Sequence, residues 1–338
     1  MAQREIVLAH GSGGRMMQTL IEELFLDAFS NPLLDEREDQ ARIPLADLLA
    51  HGDRLAVSTD SYVIDPIFFP GGDIGKLAVC GTANDVAVGG AVPRYMTCAF
   101  ILEEGLAYAD LRRIVQSMAS TARDAGIELV TGDTKVVQRG AADRIFINTT
   151  GLGVIPQAVR WGAAAIRPGD RIIVSGTLGD HGATILNLRE GLGFSADLQS
   201  DCALLAPLIA PLRSIPGVRA VRDATRGGVT AILHEFAHAS GCAMHIDEQA
   251  LPLSAAVRGI CELLGLDPLN FANEGKLLLV VDPDAAPAVL NALRGHPLGR
   301  DAALIGDVAS GGQVCLRGPF GVSRRLDLPF DEPLPRIC

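Results

Sequence analysis

The sequence is poor in aromatic residues, and it lacks the signals of membrane insertion. Aromatic side chains make up 4% of the 338 residues, although 48% of the chain is hydrophobic. We therefore expect interiors built mostly of Ala, Val, Leu and Ile. No apolar run reaches the roughly 20 residues that a membrane-spanning helix needs. The N-terminal apolar stretch is short and has no small-residue cleavage site, so we expect no signal peptide.

Positive charge and paired cysteines are also scarce. The formal net charge is −11, and lysines and arginines do not cluster, so we expect no nucleic-acid partner. No CxxC pair occurs, which argues against a zinc knuckle or a thioredoxin-type site. Scattered thiols fit a reducing compartment, and we expect a cytoplasmic protein. The seven cysteines are Cys80, Cys98, Cys202, Cys242, Cys261, Cys315 and Cys338.

Two common nucleotide-binding signatures are missing. There is no GxxxxGK followed by Ser or Thr, and the HGSGG segment at residues 10–14 does not follow a strand in GxGxxG spacing. An HExxH pattern is present at His234 and His238, but Met244 stands where a third zinc ligand is needed and His245 comes one residue late. We therefore interpret HEFAH as part of a helix surface.

The hydrophobic pattern alternates between strands and helices in two halves, as expected for two domains in a chain of this length. It predicts strands at Arg54–Val63, Arg94–Leu102, Ile127–Val130, Arg144–Val154, Arg171–Ser175, Lys276–Val281 and Ala302–Val308. It predicts helices at Arg15–Phe29, Ile74–Val88, Tyr108–Ala125, Gly182–Glu190, Gly227–Ala239, Leu253–Leu264 and Asp284–Leu293. A connector rich in Pro and Gly at 156–170 divides the chain. We thus expect an arm at 1–40, domains at 41–158 and 159–325, and a flexible tail at 326–338.

A glycine-rich turn opens the first predicted helix. The backbone N–H groups of Ser12, Gly13 and Gly14, together with the helix dipole, would favour a phosphate there. Ser and Gly are equally typical of an ordinary helix cap, so this segment alone leaves both interpretations open.

Four acids lie in Gly- and Thr-rich segments at the ends of elements: Asp60, Asp85, Asp133 and Asp223. Each alone is typical of a cap or turn. A carboxylate among apolar helix residues, such as Asp85, is costly unless a cation compensates it. Together the acids favour Mg²⁺ carried by a nucleotide, with Lys135 and Arg226 balancing the phosphates.

Two further segments have a possible chemical role. Glu274 lies in NEGK at the start of an apolar strand, where it is either a general base or a solvated loop carboxylate. The chain ends on Cys338, which is either a stray thiol or a functional one.

Taken together, these segments resemble the HypE family of nickel–iron hydrogenase maturation proteins. The matching segments are HGSGG, STDSYV, FFPGGDIGKLAVCGTANDVA, TGDTKVV, SGTLGDHG, DATRGG, NEGK and the final PRIC. They occur in the family's order along the whole chain. HGSGG or DATRGG alone would indicate only the wider superfamily of aminoimidazole ribonucleotide synthetase.

The resemblance implies an α/β (α+β), two-domain PurM-like ATP-binding fold in a homodimer whose N-terminal domains pair into a β-barrel. It implies that a carbamoyltransferase, HypF, loads Cys338, that ATP then drives dehydration of the carbamoyl group to a thiocyanate, and that the cyanide passes to a HypC–HypD complex. Asp60, Asp85, Asp133 and Asp223 are the candidates for Mg²⁺. Glu274 is the candidate base and Lys135 the stabiliser of developing charge. The candidate ATP contacts are Ser12, Gly13, Gly14, Asp60, Lys76, Thr82, Asn84, Asp85, Gly132, Asp133 and Arg226.

A terminal cysteine would serve this reaction as a carrier. The twelve residue steps from Leu326 to Cys338 span up to about 40 Å, enough for the thiol to visit two sites. Pro329, Pro333 and Pro335 would stiffen this arm. Two alternatives remain: a PurM-like kinase or synthetase of a diffusible substrate, of the selenophosphate synthetase or thiamine-monophosphate kinase type, and a non-catalytic nucleotide-binding scaffold.

Overall fold

The computed structural model describes residues 4–194, 197–330 and 336–338. Over these residues the chain forms an N-terminal helix and two α/β domains, each built on its own sheet. Pro333 and Pro335, which we expect to stiffen the tail, lie outside the described residues. In the described part of the chain, no helix is long and apolar enough to cross a membrane.

The predicted N-terminal helix is confirmed, but its middle turn is not α-helical. Arg15–Leu20 and Asp27–Phe29 are α-helical, and Ile21–Leu26 between them is π-helical. Phe25 of the π segment is buried and stacks on Phe100 of the first domain, with ring centroids 4.9 Å apart. The helix is therefore packed onto the domain that follows it.

The first domain has a mixed four-stranded sheet in the order β1-β6-β4-β5, with β4 and β5 parallel and the other pairs antiparallel. A two-stranded ribbon of β2 and β3 lies beside it. The strands are β1 (Arg54–Tyr62), β2 (Phe68–Phe69), β3 (Gly72–Asp73), β4 (Val92–Glu103), β5 (Glu128–Val137) and β6 (Ile145–Ile155).

Two helices with the predicted bounds, Ile74–Val88 and Tyr108–Ala125, cover one face of this sheet. Asp73 caps the first of them by accepting hydrogen bonds from the N–H groups of Gly75 and Lys76. The opposite face of the sheet carries exposed apolar side chains: Leu55 is 54% exposed, Val57 59% and Ile101 42%. Neighbours of Ile101 on the helix side, such as Phe100 and Leu102, are buried. Within the described residues, the sheet is thus covered on one side only.

The second domain has a seven-stranded sheet in the order β13-β12-β9-β11-β7-β10-β8, with β12 and β9 parallel and the other pairs antiparallel. Its strands are β7 (Arg171–Val174), β8 (Val218–Asp223), β9 (Cys242–Asp247), β10 (Leu277–Val281), β11 (Ala303–Ser310), β12 (Val314–Arg317) and β13 (Ser323–Arg325). Its longer helices are Asp180–Glu190, Gly228–Ser240, Ala255–Leu264 and Ala286–Arg294.

Shorter helical segments connect these elements. Two are α-helical turns, Leu45–Leu49 and Ala206–Ile209. The 3₁₀ segments are Leu8–Gly11, Ala163–Ala165, Ala210–Ser214, Glu248–Ala250, Pro268–Asn270 and Pro297–Gly299.

The segment at residues 200–205, which we call the bridging segment, links the two domains. Ser200 donates its N–H to the Pro70 carbonyl at 2.9 Å, and Ala203 donates to the Glu274 carbonyl at 3.2 Å. Asn84 holds the same segment from the first domain through the Ala203 carbonyl, 2.9 Å from its Nδ2. The two domains are therefore fixed to each other beside Glu274.

Candidate active site

A small cavity of about 40 Å³ lies between the two domains. β1 and the helix Ile74–Val88 form its wall in the first domain, and the ends of β8 and of the NEGK turn form its wall in the second. Its lining residues are Asp60, Ser61, Tyr62, Gly81, Asp85, Asp223, Thr225, Arg226, Glu274 and Cys338. The structure thus brings together most of the candidate residues for Mg²⁺, the candidate base and the terminal thiol.

Hydrogen bonds from neighbouring side chains orient two of the acids. Asp60 points toward the helix Ile74–Val88, where the buried Thr82 donates to its Oδ2 at 3.2 Å. Tyr62 donates to the same oxygen at 3.4 Å. Ser58 of β1 donates to Asp85 Oδ2 at 2.7 Å. Thr82, a candidate ATP contact, therefore lies behind Asp60 and orients it.

The acids raise one another's pKa values. Burial, and then the charge of Asp60, raises the pKa of Asp85 to about 6. Burial, and then the charge of Asp85, raises the pKa of Asp223 to about 8. The pKa of Glu274 lies well above its usual range, chiefly because of burial and then because of Asp201 and Asp223. Within the described residues, Asp223 Oδ2 and Glu274 Oε1 have no hydrogen-bond partner. Such a site favours a bound cation.

The acids fit a magnesium ion that arrives with a nucleotide. Within the part of the chain that the structure describes, no three His, Cys, Asp or Glu side chains form a set that could hold a metal ion by themselves. Mg²⁺ is commonly held by one or two carboxylates together with substrate phosphates and water. Asp60, Asp85 and Asp223 are placed for that arrangement.

The predicted site residues of β5 lie outside this cavity of the same chain. Lys135 pairs with Asp133 at 2.7 Å, and both side chains are more than half exposed on β5. Because Ala99 and Ile101 of β4 oppose them in register, they lie on the open face of the sheet, beside Gly132. Asp60, in contrast, faces the helix side. Three strand spacings, about 14 Å, separate β1 from β5.

The glycine-rich turn lies against β5. A Cβ on Gly11 would come within 2.7 Å of Val136 N, so this approach requires a glycine. Ser12 donates its hydroxyl to the Ala9 carbonyl at 3.0 Å, and Gly13 has a φ of 79°. Gly14 is the residue before the helix Arg15–Leu20. Ser12, Gly13 and Gly14 thus lie in a turn that packs on β5, and they do not line the cavity.

Two candidate ATP contacts are engaged elsewhere. Lys76 Nζ donates to the Gly71 carbonyl at 2.8 Å. Asn84 is buried and uses both ends of its amide on the bridging segment, since its Oδ1 also accepts from Leu205 N–H at 2.8 Å. The structure therefore gives Asn84 a role in joining the domains.

An ion pair that the sequence did not reveal lies directly behind Glu274. Lys276 Nζ is 3.0 Å from Asp201 Oδ2, and both side chains are at least 90% buried. Asp201 Oδ1 accepts the N–H of Glu274 at 3.0 Å. Burial opposes ionisation of Asp201, but Lys276 and this N–H outweigh it and lower its pKa. Gly275 permits the contact, because a Cβ there would lie 1.9 Å from the Asp201 carbonyl oxygen.

The end of the tail is docked in the cavity. Ile337 is 2% exposed, and Val63 donates its N–H to a main-chain oxygen of Cys338 at 3.1 Å. The root of the tail is fixed at Leu326, whose carbonyl accepts from His234 Nε2 at 2.8 Å. That bond gives His234 of HEFAH a structural role, while His238 is exposed. Flexibility of the tail between these points stays a prediction.

Comparison with known proteins first identifies the class. The models for the N- and C-terminal domains of AIR synthase related proteins match residues 37–155 and 167–317. Together with the two-domain α/β fold, these matches identify the chain as an AIR synthase related, PurM-like protein.

Full-length relatives then identify the particular family. The chain is 67% identical to carbamoyl dehydratase HypE of Escherichia coli K12 over 98% of this chain and 99% of that one. It is 52% identical to carbamoyl dehydratase HypE of Azotobacter vinelandii over 98% and 97%. The chain belongs to the carbamoyl dehydratase HypE family.

Solved structures of that family agree with the fold. A crystal structure of E. coli HypE superposes with a TM-score of 0.94 at 67% identity, covering 95% of this chain and 100% of that chain. HypE in complex with ATP gives 0.93 at 48% identity, covering 98% and 99%. A HypE–HypF complex gives 0.80 at 44% identity, covering 92% and 99%.

Proposed function

We propose that this protein uses ATP to dehydrate an S-carbamoyl group on Cys338 to an S-cyanate, which supplies cyanide for the iron of nickel–iron hydrogenase. The observation that carries this proposal is that Cys338 and Glu274 line one cavity with Asp60, Asp85 and Asp223. A terminal thiol beside a buried carboxyl group is what a reaction on the chain's own end requires.

The reaction balances when ATP converts the amide oxygen into a leaving group. The carbamoyl oxygen attacks the γ-phosphorus, the bond to ADP breaks, and one N–H proton leaves, which gives an S–C(O-phosphate)=NH group. Loss of the second N–H proton then forms the C≡N bond and expels phosphate. The net change on the protein is the loss of one water.

The residues of the cavity have separate roles in this reaction. Glu274 accepts the N–H protons, and its raised pKa makes its carboxylate a stronger base once it is ionised. Asp60, Asp85 and Asp223 hold Mg²⁺, directly or through water. The ion, when bound with ATP, neutralises charge on the phosphates. Arg226 lies in the same wall and meets the phosphates as well.

A homodimer would complete the site. Asp133 and Lys135 lie away from the cavity, on the open face that carries Val57 and Ile101, and Gly132 precedes them on the same strand. If two open faces pair as a barrel, β5 of the partner can approach the cavity of the first chain, since a two-fold interface presents the same surface from both subunits. Lys135 of the partner subunit would then stabilise charge on the transferred phosphoryl group. Because the glycine-rich turn packs on β5, the turn of the partner subunit would approach the same cavity.

The proposed partners follow from the reaction. Cys338 needs a donor of carbamoyl groups, and a relative that is 44% identical forms a complex with HypF. We propose that HypF loads this chain too, and that a HypC–HypD complex accepts the cyanide. The tail between Leu326 and Arg336 would carry the thiol between these sites.

Intact-protein mass spectrometry tests the function. After incubation with HypF, carbamoyl phosphate and Mg-ATP, we expect a carbamoyl adduct on Cys338 and then loss of one water. The water should be retained when Mg-ATP is withheld from the loaded protein after HypF is removed. An adduct on another cysteine, or an adduct that never loses water, would contradict the proposal. A kinase of a diffusible substrate, in contrast, would keep its ATP turnover in Cys338→Ser.

A further inference from the structure

His181 links the bridging segment to the docked tail. Its ring is fully buried, with Nδ1 2.7 Å from Ser200 Oγ and Nε2 2.8 Å from the Ile337 carbonyl oxygen. A carbonyl can only accept a hydrogen bond, so Nε2 carries the proton and donates it. Nδ1 then accepts from the Ser200 hydroxyl. The Ser200 oxygen in turn accepts from the N–H of Cys202 at 3.1 Å.

This arrangement fixes one tautomer and one orientation of the imidazole. Burial lowers the pKa of His181, which keeps the ring neutral at neutral pH. Phe69 packs edge-on against the ring, with centroids 5.6 Å apart. Ser200 and Phe69, which orient the ring, are not part of the tail, so they can keep the Nε2 donor aimed at the tail site whether or not the tail is docked.

The docked residues have other polar contacts, two from side chains and two from the backbone. Arg189 donates to the Arg336 carbonyl, and the Arg336 guanidinium pairs with Asp143. The N–H of Val63 donates to a main-chain oxygen of Cys338 at 3.1 Å, and the N–H of Asp65 donates to the Arg336 carbonyl at 3.4 Å. Ile337 contributes a buried side chain in the same core cluster as Phe69 and Leu198. His181 binds the peptide group between the buried Ile337 and the reacting Cys338, yet it does not line the cavity. It can thus hold the thiol in place without taking part in the chemistry.

We propose that His181, oriented by Ser200, is a positioning residue that sets how long the tail stays docked with Cys338 in the active cavity. A docked tail serves dehydration, and a released tail serves loading. The benefit that we assign to docking rests on the proposed function. Docking itself, however, can be measured without any catalytic turnover.

Two substitutions at this position separate its two hydrogen bonds. In His181→Gln, the longer amide can place its N–H near the former Nε2 and still donate to Ile337. In His181→Asn, the shorter amide can contact Ser200 but does not reach the tail. Because a buried carbonyl without a donor is costly, the docked fraction should fall about tenfold relative to the released one in the Asn variant.

The direct readout is the rate at which iodoacetamide alkylates Cys338 in the native, full-length protein, followed by peptide mass spectrometry. We expect the rate to rise about tenfold in His181→Asn and to stay near wild type in His181→Gln. Cys315, half-buried in the second domain, provides an internal reference that should not change. An unchanged rate at Cys338 in His181→Asn, or equal increases in both variants, would overturn the proposal.

The reaction provides a second, separable readout. Because the tail is mostly docked in both proteins, a tenfold larger released fraction should let HypF load His181→Asn faster than wild type, whereas its preloaded form should dehydrate less than about twofold more slowly. If His181→Asn does not fold, Ser200→Ala removes the orienting hydroxyl and should raise Cys338 alkylation as well, and an unchanged rate there counts against the proposal. If no variant, wild type included, dehydrates the adduct, the proposed function fails while the alkylation result still decides the role of His181.

Discussion

At the scale of single residues, Glu274 combines burial with a defined orientation. Its backbone N–H is held by Asp201, its Oε1 is buried without a partner in the described structure, and its pKa is raised well above the usual range. Burial favours the protonated form, so Glu274 needs a neighbouring cation before it can act as a base at neutral pH. The proposed Mg-ATP supplies such a charge.

Glu274→Gln should therefore be loaded normally but dehydrate slowly. Removal of a general base typically slows a proton transfer about 10²- to 10⁴-fold. Single-turnover dehydration of preloaded protein, followed by intact mass, measures the rate. The wild-type rate should rise with pH as Glu274 loses its proton, and the rate of the variant should lack that rise. Normal dehydration by Glu274→Gln would remove Glu274 from the mechanism.

Sequence reasoning found the reactive residues better than their supports. Asp60, Asp85, Asp223, Arg226, Glu274 and Cys338 lie in motifs, and the cavity collects them. Asp201 lies in no recognised motif. Its role becomes visible only in the folded chain, where Lys276 pairs with it. His181 and Lys276 do lie in segments that match the family, SGTLGDHG and NEGK, but the match did not indicate what either residue does.

At the scale of elements, local patterns predicted the long helices well. Ile74–Val88 and Tyr108–Ala125 have the predicted bounds, because their apolar runs and their capping residues agree. The strand predicted at Ile127–Val130 is wrong in length, since β5 continues through TGDTK to Val137. Polar residues can extend β5 because one face of the sheet is open. β8 and β9 were missed altogether, since their Arg, His and Asp residues interrupt the apolar pattern.

The bridging segment depends on one buried ion pair. Asp201→Asn would leave Lys276 buried with its charge uncompensated, so we expect a loss of about 3–5 kcal/mol in the free energy of unfolding. Because Lys276 lowers the folded-state pKa of Asp201, the stabilisation is present above the ordinary carboxyl pKa of 3.8 and is lost as the pH falls through the folded value. Denaturant unfolding of both proteins should therefore converge at acid pH.

A matched control for this substitution is available on the surface. Asp327 pairs with Arg325, and both side chains are about two-thirds exposed. Asp327→Asn should change the stability little at any pH, because exposed pairs contribute little. A similar effect of the two substitutions at neutral pH would show that the buried pair does not hold the domains together.

At the scale of the whole molecule, the open sheet face and the divided set of site residues support the proposal that two subunits share an active site. Lys135 and Asp133 lie about three strand spacings from Asp60 and on the other face of the sheet. The sequence alone could not reveal this separation, because TGDTK and STDSYV each look like part of the same site. Only the order β1-β6-β4-β5 separates them.

Mixed dimers of Lys135→Ala and Glu274→Gln test whether the site is shared. In a mixed dimer, the Lys135→Ala chain keeps its own Glu274 and receives Lys135 from its partner, so one intact site forms. With random pairing, half of the dimers are mixed, and about a quarter of all chains should become cyanated, all of them Lys135→Ala chains. Each variant alone should remain nearly inactive. No recovery in the mixture would mean that the site does not draw Lys135 from the partner.

The central claim is that ATP activates the oxygen of a carbamoyl group carried on Cys338. Loading Cys338 with a carbamoyl group labelled with oxygen-18 and then adding unlabelled Mg-ATP tests this in a single turnover. If the carbamoyl oxygen attacks the γ-phosphorus, the label must leave in inorganic phosphate, and mass spectrometry should find one labelled oxygen per phosphate released. Label found in water, with unlabelled phosphate, would contradict the mechanism.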